Sequence, residues 1–267
     1  MPHHCRLPRL PAEWEIQSGI MLTWPHGHGD WAPSLGQVEP VFRRMAVEIA
    51  RREDLLINCA SPAVAADIRA GLVAAGAPAD RLFLAVMASD DTWARDHGPV
   101  TVLDDGRPQL LDFQFNGWGN KYPAELDNAI TATLAGRGVF GSTPIKPVGL
   151  VLEGGSIDSD GAGSLLTTAS CLLHPGRNPG LSREQLEHEL HDLLGIGRVL
   201  WLEHGELEGD DTDGHIDMLA RFCSKETIAY QSCTEVGYSG YTALKSMQAE
   251  LAELRTSAGR PYRLVAL

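Results

Sequence analysis

The chain has no run of about 18 apolar residues, so nothing in its 267 residues reads as a membrane-spanning helix. Its opening, Met1-Pro2-His3-His4-Cys5-Arg6, lacks the apolar stretch of a secretory signal, and a cytoplasmic location is expected. Cysteine is sparse: Cys5, Cys59, Cys171, Cys223 and Cys233 are odd in number, and no two are separated by two residues. That pattern excludes a disulfide framework and a structural zinc site, and it fits reduced thiols. The histidines near the start, His3, His4, His26 and His28, show no zinc spacing with acids or cysteines and read as surface or loop residues. Basic residues are outnumbered, 22 Lys and Arg against 35 Asp and Glu, for a formal charge of -13. Such a balance argues against nucleic acid and anionic membranes as partners and modestly steers small cations inward.

What remains is an ordinary globular composition, 43% hydrophobic and 21% charged, expected to form a single domain over residues 1–267. Two acidic segments dominate it, Asp90-Asp91-Thr92-Trp93-Ala94-Arg95-Asp96-His97-Gly98-Pro99 and Asp210-Asp211-Thr212-Asp213-Gly214-His215-Ile216-Asp217. Each lies between apolar runs, so carboxylates, a Trp and two His gather on loops at strand ends, where sites are commonly built. The flanking sequence carries too little Lys and Arg to cancel this charge, which points to a cationic ligand.

The runs Leu82 to Val86, Gly149 to Leu152, Arg198 to Leu202 and Tyr262 to Ala266 read as buried strands recurring at roughly 50 to 66 residues, a repeat period. The first three each lead into an acidic or glycine-rich loop, and two strand-like runs follow. These are Val100 to Leu103 with Leu110 to Phe115, Ser156 to Asp158 with Ser164 to Thr168, and Met218 to Cys223 with Thr227 to Gln231. Helices then follow. Leu186, Leu190, Leu193 and Leu194 share one face, with Ser182 and Gln185 as a capping box and Gly195 past the end. Leu244, Met247, Leu251 and Leu254 form a second face, and Val38, Phe42, Met45, Ala46 and Ile49 another, while Ser61-Pro62 opens a helix ending at Gly76. The unit is strand, acidic loop, two strands, helix, and a radial arrangement would bring the loops to a central site. A plain α/β sheet with unrelated acidic loops is the alternative. By this repeat the last strand, ending at Leu267, starts a unit that the sequence does not continue, with an unpaired sheet edge expected.

A guanidinium suits these loops, because its planar fork of N–H donors matches a carboxylate with two parallel hydrogen bonds. Asp96 and Asp217, one from each loop, are the candidate clamps; His215 is the candidate proton shuttle, Glu153 its orienting carboxylate, and Trp93 a cover for the cation's face. Each has a bland alternative. Asp96 can pair with Arg95 or close a turn, His215 can satisfy the turn after Gly214, Glu153-Gly154-Gly155 can be a plain turn, and Trp93 can anchor a core. Arg177-Asn178-Pro179, after His174-Pro175, reads as a structural turn.

The residues resemble the agmatine deiminase family, in the branch that includes bacterial peptidylarginine deiminases. The resemblance runs through Pro11-Ala12-Glu13-Trp14-Glu15, Thr23-Trp24-Pro25-His26, residues 91–99, Phe115-Asn116-Gly117-Trp118-Gly119, Leu152-Glu153-Gly154-Gly155-Ser156 and residues 211–217. It implies a pentein-like, five-bladed β/α propeller, no metal or organic cofactor, and a Cys nucleophile that forms a covalent amidino-thioether on a small guanidino cation. Asp96 and Asp217 would bind the guanidinium, His215 would be general acid and base, and Glu153 would support the site. Agmatine would yield N-carbamoylputrescine and ammonia, a step of polyamine biosynthesis.

The family's nucleophilic Cys follows a glycine-rich stretch and Ile-His near the C-terminus, and nothing in these residues matches that motif. Cys59 and Cys223 sit in or at the ends of apolar strands, Cys171 follows a strand before a turn, Cys233 lies near a strand end, and Cys5 is in the N-terminal tail. The expectation is therefore an incomplete propeller, one blade short at its C-terminus, with weak or absent turnover and a tendency to self-associate as a homo-oligomer through the exposed edge. Alternatives are a peptidylarginine or arginine deiminase, a metal-dependent ureohydrolase suggested by Asp213 to Asp217, and a non-catalytic chain that binds guanidino cations.

Overall fold

The computed structural model describes residues 7–267; His3, His4 and Cys5 lie outside the described residues. The chain is mixed α/β, built from small three-stranded sheets, and it divides into two compact units. One comprises residues 16–98 and 122–142, and the other holds the described residues up to 15 together with 99–121 and 143–267.

In the first unit β1 (Gly19–Thr23), β2 (Asp54–Cys59) and β3 (Leu82–Val86) lie side by side in that order, all parallel. Parallel neighbours need a crossover, and the helices Leu35–Ala50 and Pro62–Ala74 supply the two. The second helix starts where expected: Pro62 opens it and the Ser61 hydroxyl accepts the Val64 amide at 3.3 Å. The first helix buries Ala46, Val47 and Ala50 against Leu55, Ile57 and Ile68, while Met45 faces outward, a one-position error in the expected face.

The second unit carries three sheets of one pattern. They are β4 (Val100–Asp104), β5 (Arg107–Gln114) and β6 (Ile145–Val151); β7 (Asp158–Ser159), β8 (Ser164–Thr168) and β9 (Arg198–Leu202); and β10 (Ala220–Ser224), β11 (Thr227–Tyr230) and β12 (Arg263–Ala266). In each, the first two strands are an antiparallel hairpin and the third joins in parallel after helical segments. Asp105 and Gly106 both take positive φ, 47° and 76°, as a tight hairpin turn requires. The helix Arg183–Leu194 has the full capping box, Ser182 with Gln185, and stops at Gly195 in the left-handed region. A Cβ at Gly195 would sit 1.7 Å from the Pro8 carbonyl oxygen, so the position tolerates only glycine. Leu186, Leu190, Leu193 and Leu194 bury against Val102, Leu111, Leu152 and Leu165.

Two boundaries differ from expectation. Residues 154–156 form a single 3-10 turn, leaving β7 two residues long, and residues 216–219 are a short helix ahead of β10. The register of the repeat also changes. Acidic or glycine-rich loops connect one sheet to the next, and each sheet closes on a parallel third strand. β12 is therefore the third strand of its own sheet, paired with β11, and does not begin a unit. No helix among the described residues is long and apolar enough to cross a membrane.

Candidate active site

Within the second unit, Glu153 follows the end of β6 and is fully buried. The turn Gly154–Ser156 fixes its backbone, with the Ser156 hydroxyl donating to the Glu153 carbonyl at 2.6 Å. His215, 2% exposed, precedes the short helix Ile216–Leu219, and half-buried Asp217 lies within that helix. The chain reaches this geometry through Asp213 and Gly214, whose φ values are 67° and 85°. A Cβ at Gly214 would approach the Ser170 hydroxyl to 3.0 Å and the Gly205 carbonyl to 3.2 Å, so bare backbone is needed there. Thr168, at the end of β8, joins two strings: its hydroxyl donates to the Gly214 carbonyl at 2.6 Å and accepts the Cys171 amide at 3.3 Å. As a result Glu153, His215 and Cys171 meet, with one donor atom from each lying within 4.8 Å of the others, all buried.

Arg177 closes the group. Its Nε donates to both Glu153 oxygens at 2.9 Å, Nη1 to Asp213 at 2.8 Å and Nη2 to the Thr212 carbonyl at 3.0 Å. Burial would lower the guanidinium's pKa, yet Cys171, Glu153 and Asp213 around it hold it above its ordinary value. Lys121 donates to the other Asp213 oxygen and to the Asp211 carbonyl, both at 2.6 Å. Burial alone would raise the Asp213 carboxyl, but Lys121 and Arg177 pull it below its usual range. Glu153, Cys171 and His215 offer the donor types of a metal site, and the Glu153 carboxylate among them is already paired with the Arg177 guanidinium.

In the first unit, Asp96 is 7% exposed on the short helix Ala94–His97, while Trp93, 45% exposed, precedes it. Trp93 lies 6.1 Å from Trp31, whose indole N–H donates to the Thr92 hydroxyl at 3.0 Å. Trp93 therefore lies at the surface of its unit beside Trp31, not in a core. His97 packs inward, Nε2 at 3.2 Å from the Thr23 hydroxyl, and burial pushes its pKa down to about 4. Asp127 receives the amides of Asp90 and Asp91 at 2.8 and 3.0 Å, and desolvation pushes its carboxyl up to about 7.

The family model described as Porphyromonas-type peptidyl-arginine deiminase matches residues 9–267. The chain belongs to that family. It is 34% identical over 257 residues to an agmatine deiminase of Stutzerimonas stutzeri (strain A1501), covering 94% of this chain and 67% of that protein. Among solved structures it is similar to a C. jejuni agmatine deiminase with substrate bound, TM-score 0.87 at 33% identity, covering 98% of this chain and 74% of that one. An agmatine deiminase of Enterococcus faecalis superposes with TM-score 0.86 at 28% identity, covering 97% and 70%.

Sequence reasoning missed four residues. Arg177 read as part of a structural turn and Cys171 as a residue after a strand before a turn, while Lys121 and Asp127 carried no motif. One signal was available: the acids of residues 210–217 required cations, and the flanks carried too few. Arg177 and Lys121 answer that need from 36 and 92 residues away. The inference from loop charge to an external cation is corrected to that extent, since part of the charge is balanced internally.

Proposed function

We propose that this chain acts on the guanidinium group of a small cation, agmatine, within a hydrolysis that yields N-carbamoylputrescine and ammonia. The observation that carries the reading is the buried meeting of Glu153 and His215, with Asp217 two residues on, in a chain of this family. Asp96 and Asp217 act as carboxylate clamps, each offering two oxygens to the N–H fork, and Trp93 covers the cation's face. His215 moves the proton to the departing nitrogen, and Glu153 orients the imidazole. A thiolate adds to the guanidinium carbon, ammonia leaves with that proton, and water then replaces the thiol to give the ureido product.

In this reading the 267 residues act as one cytoplasmic catalytic domain whose sheets adopt the pseudo-fivefold propeller arrangement. Their own turnover is weak or absent, because burial raises the Cys59 thiol to about 11 and Cys171 has no exposed surface. Cys223 is exposed and Cys233 intermediate, and neither belongs to the buried group of Glu153 and His215. The family description favours a second reading, in which the tail beyond the guanidinium belongs to free or peptide-linked arginine.

The test is ammonia release from agmatine, arginine and an arginyl peptide by the purified 267-residue chain, with agmatine binding measured in parallel by calorimetry. Binding of agmatine with little or no ammonia is expected. Absence of binding to any guanidino compound would overturn the reading, and robust iodoacetamide-sensitive turnover would overturn the expectation of weak activity.

A further inference from the structure

The Arg177-Asn178-Pro179 segment does more than turn the chain. Arg177 has a fully buried side chain and ties Glu153, at the end of β6, to the loop that ends in His215. These two acid–base residues arrive from strands in different sheets, β6 and the connection from β9 to β10, and no backbone hydrogen bond is needed to hold them in register if one fork spans both. Guanidinium geometry permits this: Nε faces one carboxylate while the two Nη atoms diverge toward a second carboxylate and a carbonyl.

Asn178 reinforces the anchor. Its side chain accepts the Val151 amide at 3.0 Å and donates to the Val151 carbonyl at 2.8 Å, imitating one more strand residue on β6 just before Glu153. Asn116 and Asn120 donate to the Gly176 carbonyl at 2.9 and 3.0 Å, so the residue before Arg177 is held as well. A surface turn has no use for a buried arginine whose three nitrogens each donate inside the protein.

We propose that Arg177 is a positioning residue for the acid–base pair, fixing the Glu153 carboxylate so that Glu153 in turn fixes His215. The role rests on the function proposed above only where agmatine is the readout. Lysine keeps the charge at this position but loses the fork, so Arg177→Lys separates positioning from charge balance.

The experiment uses the 267-residue chain labelled with 15N-histidine, the His215 ring signals being identified by their loss in His215→Gln. Wild type, Arg177→Lys, Glu153→Gln and the double variant are compared at neutral pH. Arg177→Lys is expected to displace the His215 ring signals, and adding it to Glu153→Gln is expected to move them no further, because its effect runs through Glu153. Unchanged His215 signals in a folded Arg177→Lys protein, or an equal displacement in the Glu153→Gln background, would overturn the proposal.

If Arg177→Lys does not fold, Asp213→Asn takes its place. It removes the half-buried charge that Arg177 Nη1 and Lys121 share while leaving the contacts of Arg177 Nε to Glu153 in place, and the same two outcomes decide. Agmatine affinity then serves as a second readout. Arg177→Lys should weaken it roughly tenfold, within the coupling range of a shared hydrogen-bond network, and the double variant should bind no more weakly than Glu153→Gln alone. Wild-type protein that fails to bind agmatine counts against the proposed substrate and leaves the His215 signals to judge Arg177.

Discussion

In the loop over residues 210–217 Asp213 is met by two cations while Asp210 takes the Thr212 and Gly214 amides, whereas in the loop over residues 90–99 Asp90 and Asp91 are met by backbone amides. Arg177 and Lys121 both reach Asp213, whose carboxyl is held low. In the other loop the Asp127 carboxylate collects the amides of Asp90 and Asp91, Asp90 collects the Leu126 amide at 2.8 Å, and Asp91 the Thr92 amide at 2.7 Å. There desolvation wins, and both Asp91 and Asp127 sit above the usual carboxylate range. Asp213 on one side and Asp91 with Asp127 on the other thus reach opposite electrostatic states. A full charge nearby offsets the cost of burying a carboxylate, while amide dipoles offset only part of it.

The comparison breaks most severely at Arg177. Arg177→Met leaves the buried Glu153 without its counter-charge, and unfolding in urea should show a loss of about 3–5 kcal/mol, the usual range for halving a buried ion pair. A loss below about 1 kcal/mol would mean that Glu153 does not depend on that partner.

Asp127 gives the amide-held loop its pH dependence. Its folded pKa of about 7 exceeds the unfolded value of about 3.9, so the native state holds the extra proton between them and stability falls as pH rises through that window. His97 works the other way: its pKa, depressed to about 4, makes stability rise with pH up to its unfolded value of about 6.5. Measuring urea stability of wild type and Asp127→Asn from pH 5 to pH 8 isolates the aspartate. Wild type should lose roughly 2–3 kcal/mol more than the variant over that range. Equal losses in the two proteins would show that the carboxyl titrates as an ordinary aspartate.

Asp96→Asn sharpens the functional side, since it preserves shape and removes one clamp charge. Agmatine affinity measured by calorimetry should fall roughly tenfold or more, the worth of a charge-assisted pair, with little change in melting temperature. The smallest effect is expected at Lys121, which is about one-third exposed. Lys121→Met should cost about 0.5–1 kcal/mol, because Arg177 still pairs with Asp213 and solvent screens the ammonium. A loss as large as that of Arg177→Met would erase the distinction between the two cations.

Much of the fold was legible. Strand pairs, the Asp105-Gly106 turn, the Ser182 to Gln185 capping box and the Ser61-Pro62 start are local, and hydrophobic period with capping chemistry determines them within a few residues of chain. The repeat was legible as a period but not in its register. Which strand closes a sheet depends on pairing partners more than thirty residues apart, as with β8 and β9. Of the site, His215 stood out for its place two residues before Asp217 in an acidic loop, and Glu153 as a carboxylate able to orient it, while the neighbouring glycines also allowed plain turns. By itself the sequence determined most elements and the excess of acid, since those follow from composition and near-neighbour geometry, and it offered Glu153 and His215 as candidates. Only the tertiary structure decided which cations meet which acids, for Arg177 and Lys121 reach Asp213 across long stretches of chain, and the resulting burial sets the balance between desolvation and charge pairing.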